Sequence, residues 1–513
     1  MEVQVSRKRP RRVLAALGAV TALAAGLSPQ TAATASVSVE SQTKRYVVVL
    51  SGQATSTGFD ANRDAALALV RNAGGIVSID LSRQIGVLVV DSPNALFDET
   101  LRASGLVEAA AEDFKWKAFP SAQEAIESGQ LTVVDESSVP GSGPEETADP
   151  LEPLQWSMQQ IRAPQAHAIQ SGGRLVDVGI LDSGIDGDHP DFTVDQQGTN
   201  VDCTRAADFI PLGPGIGNPV PCEDNQFHGT HVAGIVAAQA NEIGVVGVAP
   251  NVTLVPVEVC DTLGYCYSSS SAAGITYAGD QKFDVINMSY FVDDDEFLSS
   301  TEFKCMSDPV QRAFRMANER AMRYARNQGV TPVAALGNSD EDLAHPSEPY
   351  ENECEVVPAE TDGVIGTSAL GPSSEKSFFS NYGYGMVDVA APGGNSANAQ
   401  HPGPCGNQVL STIPVHLGSY GCFQGTSMAS PHAAGVAALI VSEFGEVGTD
   451  AGEPDVRMRP QSVESYLQGT TVDIGLPGYD ECFGNGRIDA LRAVLHDTSR
   501  LYEANPPCPE YAE

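Results

Sequence analysis

Basic residues are scarce in this chain: 29 Lys and Arg stand against 66 Asp and Glu, a formal net charge of −37. That balance excludes a nucleic-acid binder, which needs a basic footprint. It reads as a solvated acidic surface that favours solubility. Cysteine is absent before Cys203, and the ten present contain no paired C-x-x-C spacing, which argues against zinc. Long apolar runs are lacking after the N-terminus. Residues 13–27 form an Ala-rich run too short to span a membrane, so no membrane anchor is expected. Charged residues amount to only 19% against 42% hydrophobic, which excludes a disordered chain.

What is present divides the 513 residues into several parts. Arg7, Lys8, Arg9, Arg11 and Arg12 precede the apolar run, and Ala33-Thr34-Ala35 is a small-residue cleavage site. Residues 1–35 therefore read as a signal peptide, and the protein as secreted and extracellular. An even number of cysteines agrees with an oxidising compartment. Sequence-near pairs such as Cys203–Cys222, Cys260–Cys266 and Cys405–Cys422 are expected to bond, although sequence alone does not decide the connectivity. Residues 36–120 read as a small α+β domain. Strands are expected at 46–50, 76–81 and 85–90 and from 106, with helices at 60–72 and 94–103, a ferredoxin-like order. Residues 121–150, rich in Ser, Pro, Gly and Glu, read as a flexible acidic linker open to proteolysis. From 151 to 497, apolar strands (175–181, 252–259, 285–288, 330–336, 364–368) alternate with helical stretches (228–240, 269–279, 308–327). That predicts an α/β fold with a doubly wound, mostly parallel sheet. Residues 498–513 are a tail.

Three segments carry chemistry. Asp182 ends a predicted strand before Ser183-Gly184, where a carboxylate can orient an imidazole and stabilise its cation. Asp before Ser-Gly is otherwise a common turn former. His228 opens His-Gly-Thr-His-Val-Ala-Gly, a helix of small residues that can pack closely. His231 and His432, inside such helices, read as structural. Ser427 sits in Gly-Thr-Ser-Met-Ala-Ser-Pro at the start of an apolar helix, with Pro431 assigned to an early helical position. Free backbone N–H groups and the positive dipole end there favour a developing oxyanion. Asn338 follows a strand and could donate a second oxyanion hydrogen bond.

These motifs, in the order Asp, His, Ser, resemble those of the subtilisin-like serine peptidases from about residue 150 to 497. The resemblance implies a serine endopeptidase with Asp182, His228 and Ser427 as triad and Asn338 in the oxyanion hole. It needs no cofactor for catalysis and acts on protein or peptide substrates. The N-terminal domain is similar to the family's propeptides, which assist folding, inhibit intramolecularly and are cut off. Asp191 and Asn241 lie in segments similar to the family's calcium loop, so a structural calcium is implied, with Glu152 near the N-terminal ligand position. Two departures stand out. Residues 199–225 look like an insertion, and Tyr290-Phe-Val-Asp-Asp-Asp-Glu296 replaces the family's Leu-Gly-Gly beside the substrate cleft. Residues 296–328 are expected to carry an extra helix. The alternatives are a dedicated precursor-processing peptidase and a binding scaffold without turnover; the complete triad argues against the second.

Overall fold

A computed structural model describes residues 43–56, 58–135, 149–194, 198–211, 222–292, 308–344, 355–398, 403–450, 452–504 and 508. The signal-peptide reading of 1–35 lies outside these residues. Residues 42–513 form one compact unit.

The chain first builds β1 (Lys44–Leu50), α1 (Phe59–Asn72), β2 (Ile76–Leu81), β3 (Val87–Ser92), α2 (Phe97–Arg102) and β4 (Val107–Glu112). The sheet order is β2-β3-β1-β4, the expected ferredoxin-like arrangement. One expectation shifts: Ser82–Ile85 is a helical turn closed by Gly86 at φ 68°, so β3 starts after it. Strand alternation gives this sheet two buried faces. Tyr46, Val48 and Leu50 pack with Phe59, Val70, Phe97 and Leu101. Val47 and Val49 face the rest of the protein instead.

Beyond it, β5 (Lys115–Lys117), α3 (Ala122–Ser128) and β6 (Thr132–Val133) follow. The flexible linker expected over 121–150 is thus corrected as far as residue 135; residues 136–148 lie outside the described residues. Ser121 and Glu124 form a capping box at the start of α3, each side chain bonding the other's backbone N–H. Ala125 and Leu131 bury their side chains in the main core.

The main sheet uses β7 (Asp177–Asp182), β8 (Ala207–Asp208), β9 (Thr253–Glu258), β11 (Val285–Met288), β12 (Thr331–Ala335), β13 (Ile365–Leu370) and β14 (Val389–Pro392). A short β10 (Tyr265–Tyr267) lies outside it. All its strands run parallel, in the order β8-β9-β7-β11-β12-β13-β14. β8 is the insertion's contribution, and Cys203–Cys222 staples that loop. The helices that flank the main sheet include α4 (His228–Ala237), α5 (Ser268–Gln281), α6 (Pro309–Gln328) and α7 (Thr426–Phe444), with the hairpin β15 (Val409–Thr412) and β16 (Tyr420–Phe423) before α7. Val178, Ile180, Leu254 and Val333 pack with α4 and α7. Leu181, Val255, Val257 and Ala334 pack with α5 and α6. Alternate residues of each strand therefore serve opposite layers, which is why these strands read as continuous apolar runs. Parallel strands place all their C-terminal ends on one edge.

Cys260–Cys266 and Cys405–Cys422 pair as expected, and Cys482–Cys508 ties the tail to the core.

Candidate active site

Asp182 is the last residue of β7 and is fully buried. Gly184, at φ 107°, turns the chain away from the strand end. A Cβ on Gly229 would meet Gly184 O at 2.1 Å, so glycine there lets α4 close on this turn. His228, the first residue of α4, then points Nδ1 at Asp182, 2.9 and 3.0 Å from the two carboxylate oxygens. Ser183 N donates to Asp182 Oδ1 at 2.8 Å, fixing the carboxylate. With Nδ1–H held by Asp182, Nε2 is the basic nitrogen. It is buried and has no hydrogen-bond partner among the described residues.

Ser427 is the second residue of α7 and 5% exposed. Its Oγ donates to Ser289 O at 3.0 Å rather than to His228. Pro431 lies inside the helix, not in its first turn as the sequence suggests. Proline cannot donate to the carbonyl four residues back. Ser289 Oγ takes that place, donating to Ser427 O at 2.8 Å. Asn338 Oδ1 accepts Thr426 N and Thr426 Oγ1, each at 2.9 Å. The start of α7 thereby fixes the Asn338 amide by its oxygen, and the residue itself is exposed.

His231 and His432 are buried and structural in their contacts. His231 Nε2 lies 3.2 and 3.1 Å from Val409 O and Gly421 O, and burial lowers its pKa to about 3. His432 Nδ1 meets Met428 O, and burial lowers it to about 4.

The chain itself covers the His228 ring. β5 pairs antiparallel with β10, and Ala118 N donates to Gly264 O at 2.9 Å. Phe119 stacks on the His228 ring, centroids 4.0 Å apart and 9° from parallel. Trp116 is buried between Tyr290 and Phe314, at 6.1 and 5.4 Å. Tyr290 is fully buried and within 3.0 Å of Ser271 Oγ, so it packs inward. The acidic residues 293–296 lie outside the described residues. Asp113 accepts from Ser268 Oγ, Ser269 N and Ser269 Oγ at the start of α5. Beyond the site, β6 pairs with β16 and Gln408 Nε2 donates to Gln130 O.

Asp191 and Asn241 meet at one loop. Asp191 Oδ2 accepts Val245 N at 2.9 Å, and Asn241 Nδ2 donates to Pro190 O and Thr193 O. Asp149 joins them, Oδ1 accepting Asn241 N and Ile243 N. The sequence left the N-terminal residue at this loop open, with Glu152 nearby; among the described residues, Asp149 is the one that bonds to it. Burial raises the pKa of the Asp149 carboxyl.

The model of the Subtilase family of peptidases matches residues 173–486. The chain belongs to the subtilase family. Its serine-type endopeptidases include subtilisin NAT of Bacillus subtilis subsp. natto, 34% identical over 312 residues, 61% of this chain and 66% of that protein. Subtilisin of Bacillus pumilus is also 34% identical, over 61% of this chain and 92% of its own length. Alkaline protease of Alkalihalobacillus alcalophilus is 32% identical over 66% and 69%. The chain thus spans just under two thirds of the first of these subtilases. The epidermin leader peptide processing serine protease of Staphylococcus aureus shares the fold, with a TM-score of 0.63, 20% identity and coverage of 88% and 98%. A lanthipeptide protease superposes with a TM-score of 0.53 at 25% identity, over 71% and 98%.

Sequence reasoning missed Asp224 and Gln226, four and two residues before His228. Asp224 accepts Ser183 Oγ, Gln226 N, Thr230 N and Thr230 Oγ1. Its burial raises the pKa to about 7. The polar run Asp224-Asn225-Gln226, one residue before the His-Gly-Thr-His motif, was the available signal.

Proposed function

We propose that this subtilase is a secreted serine endopeptidase, made as a zymogen that processes itself, with Asp182, His228 and Ser427 as triad. The observation carrying this reading is the buried Asp182–His228 pair at the end of a parallel strand, with Ser427 in the first turn of α7. Once Ser427 Oγ turns from Ser289 O to His228, Nε2 removes its proton as Oγ attacks the scissile carbonyl. Asp182 keeps the imidazole in the required tautomer and stabilises its cation. The oxyanion receives hydrogen bonds from Asn338 Nδ2 and Ser427 N. Collapse expels the amine, which takes the proton from His228, and water then hydrolyses the acyl-enzyme. No cofactor enters these steps.

Residues 36–120 act as the intramolecular inhibitor in this reading. Support comes from β5 lying along β10 and from Phe119 covering the His228 ring. Asp191, Asn241 and Asp149 would hold a structural calcium: they bring two buried carboxylates and an amide to one loop, and a cation would offset the cost of burying that charge.

N-terminal sequencing of the secreted wild type beside Ser427→Ala tests the reading. The wild type should start between about residues 120 and 152, with the variant keeping its N-terminal domain. Identical trimming of both would assign maturation to another protease. A dedicated precursor-processing role is the second reading, favoured by the likeness to a lanthipeptide protease. Competition between a denatured general protein and a defined precursor separates the two.

A further inference from the structure

Gln226 is fully buried between the catalytic helix and the chain segment lying in the cleft. Its side-chain Oε1 accepts His228 N at 2.6 Å, and its Nε2 donates to Pro120 O at 2.6 Å. A backbone N–H can only donate, so the amide oxygen must face His228 and the NH2 group must face the cleft. The catalytic helix therefore sets the orientation of this amide before any peptide arrives. The main chain of Gln226 is fixed as well, since its N–H donates to Asp224 Oδ1 at 2.9 Å. Asp224 also holds Ser183, whose Oγ accepts Gly229 N at 3.0 Å. One frame thus carries Asp182, His228 and Gln226.

The acceptor is a main-chain carbonyl, a group that every peptide residue offers. Pro120 directly follows Phe119, the residue stacked on the His228 ring. We infer that Gln226 is a substrate-binding residue, donating a hydrogen bond to the backbone carbonyl one residue beyond the one that covers the catalytic imidazole. The inference rests on the peptidase reading, because it takes residues 115–120 as standing in for a substrate. Glutamate at this position keeps an acceptor for His228 N and loses the donor to the peptide. Asparagine keeps the amide on a shorter stem.

Hydrogen exchange in the uncut full-length chain tests this without requiring turnover. In a Ser427→Ala background, Gln226→Glu should speed exchange of the amides of residues 115–119 about fivefold or more, leaving Thr132 and Val133 unchanged. Exchange within twofold of the Ser427→Ala parent overturns the inference, and Gln226→Asn serves if the glutamate variant does not fold. In the otherwise wild-type protein, Gln226→Glu should lower kcat/KM on peptides about tenfold, with KM taking the larger share. A fall in kcat at unchanged KM would mean that Gln226 only seats His228, and overturns it too. Absence of turnover by the wild type would count against the peptidase reading alone.

Discussion

At the scale of single residues, Asn338 and Ser427 meet through Thr426. Thr426 binds the amide oxygen of Asn338, and the proposed mechanism gives the amide nitrogen the task of polarising a substrate carbonyl. Asn338→Ala should lower kcat by about 10²–10³-fold with little change in KM, the range that loss of such a donor produces in subtilisin. Steady-state kinetics on one peptide substrate checks this. Asp182, His228 and Ser427 were legible as candidates because three motifs, each weak or modest alone, occur in a fixed order. Gln226 and Asp224 were not, because their roles depend on partners that only folding supplies: Pro120 from the cleft segment and Ser183 from the end of β7.

At the scale of elements, the loop after α4 gathers Asp149, Asp191 and Asn241 from three distant parts of the chain. If calcium is bound there, EDTA should lower Tm by about 5 °C or more, and Asp191→Ala should abolish that difference. Scanning calorimetry with and without EDTA reads it; equal transitions with a calcium-free elemental analysis would remove the metal. The expected strands and helices matched closely where apolar runs were long, as in β9, expected over 252–259 and found over 253–258. Short pieces escaped. α3 was hidden in a stretch whose composition suggested a linker, although Ser121-Ala-Gln-Glu124 spells a capping box. β6 exists only because β16 offers it an edge.

At the scale of the whole molecule, stability should depend on a carboxyl buried at the N-terminal ends of the sheet strands. Asp284 is 4% exposed and burial raises its pKa from 3.8 to about 8. The folded chain then holds a proton that the unfolded chain has lost, from about pH 4 to about pH 8. This contribution to stability is full below the unfolded pKa and is lost as pH rises through the folded one. Asp284→Asn still accepts the hydrogen bond from Asp177 N and carries no charge. Its stability relative to wild type should therefore grow between pH 5 and pH 9, by on the order of a few kcal/mol. Denaturant titrations at the two pH values test it; a constant difference would place the titration elsewhere.

The sequence by itself determined the family and the layered α/β sheet, and it pointed to the triad candidates and to three disulfide pairs. Each is written in contiguous signals: motifs of several residues, apolar runs, and cysteines close along the chain. Only the tertiary structure decided that residues 44–112 bury one sheet face on α5 and α6. The same holds for Phe119 over His228, for β6 beside β16, and for the polar frame ending in Gln226. These depend on surfaces brought together from separate parts of the chain, where the partner is chosen by shape and unsatisfied hydrogen-bonding groups rather than by neighbouring residues.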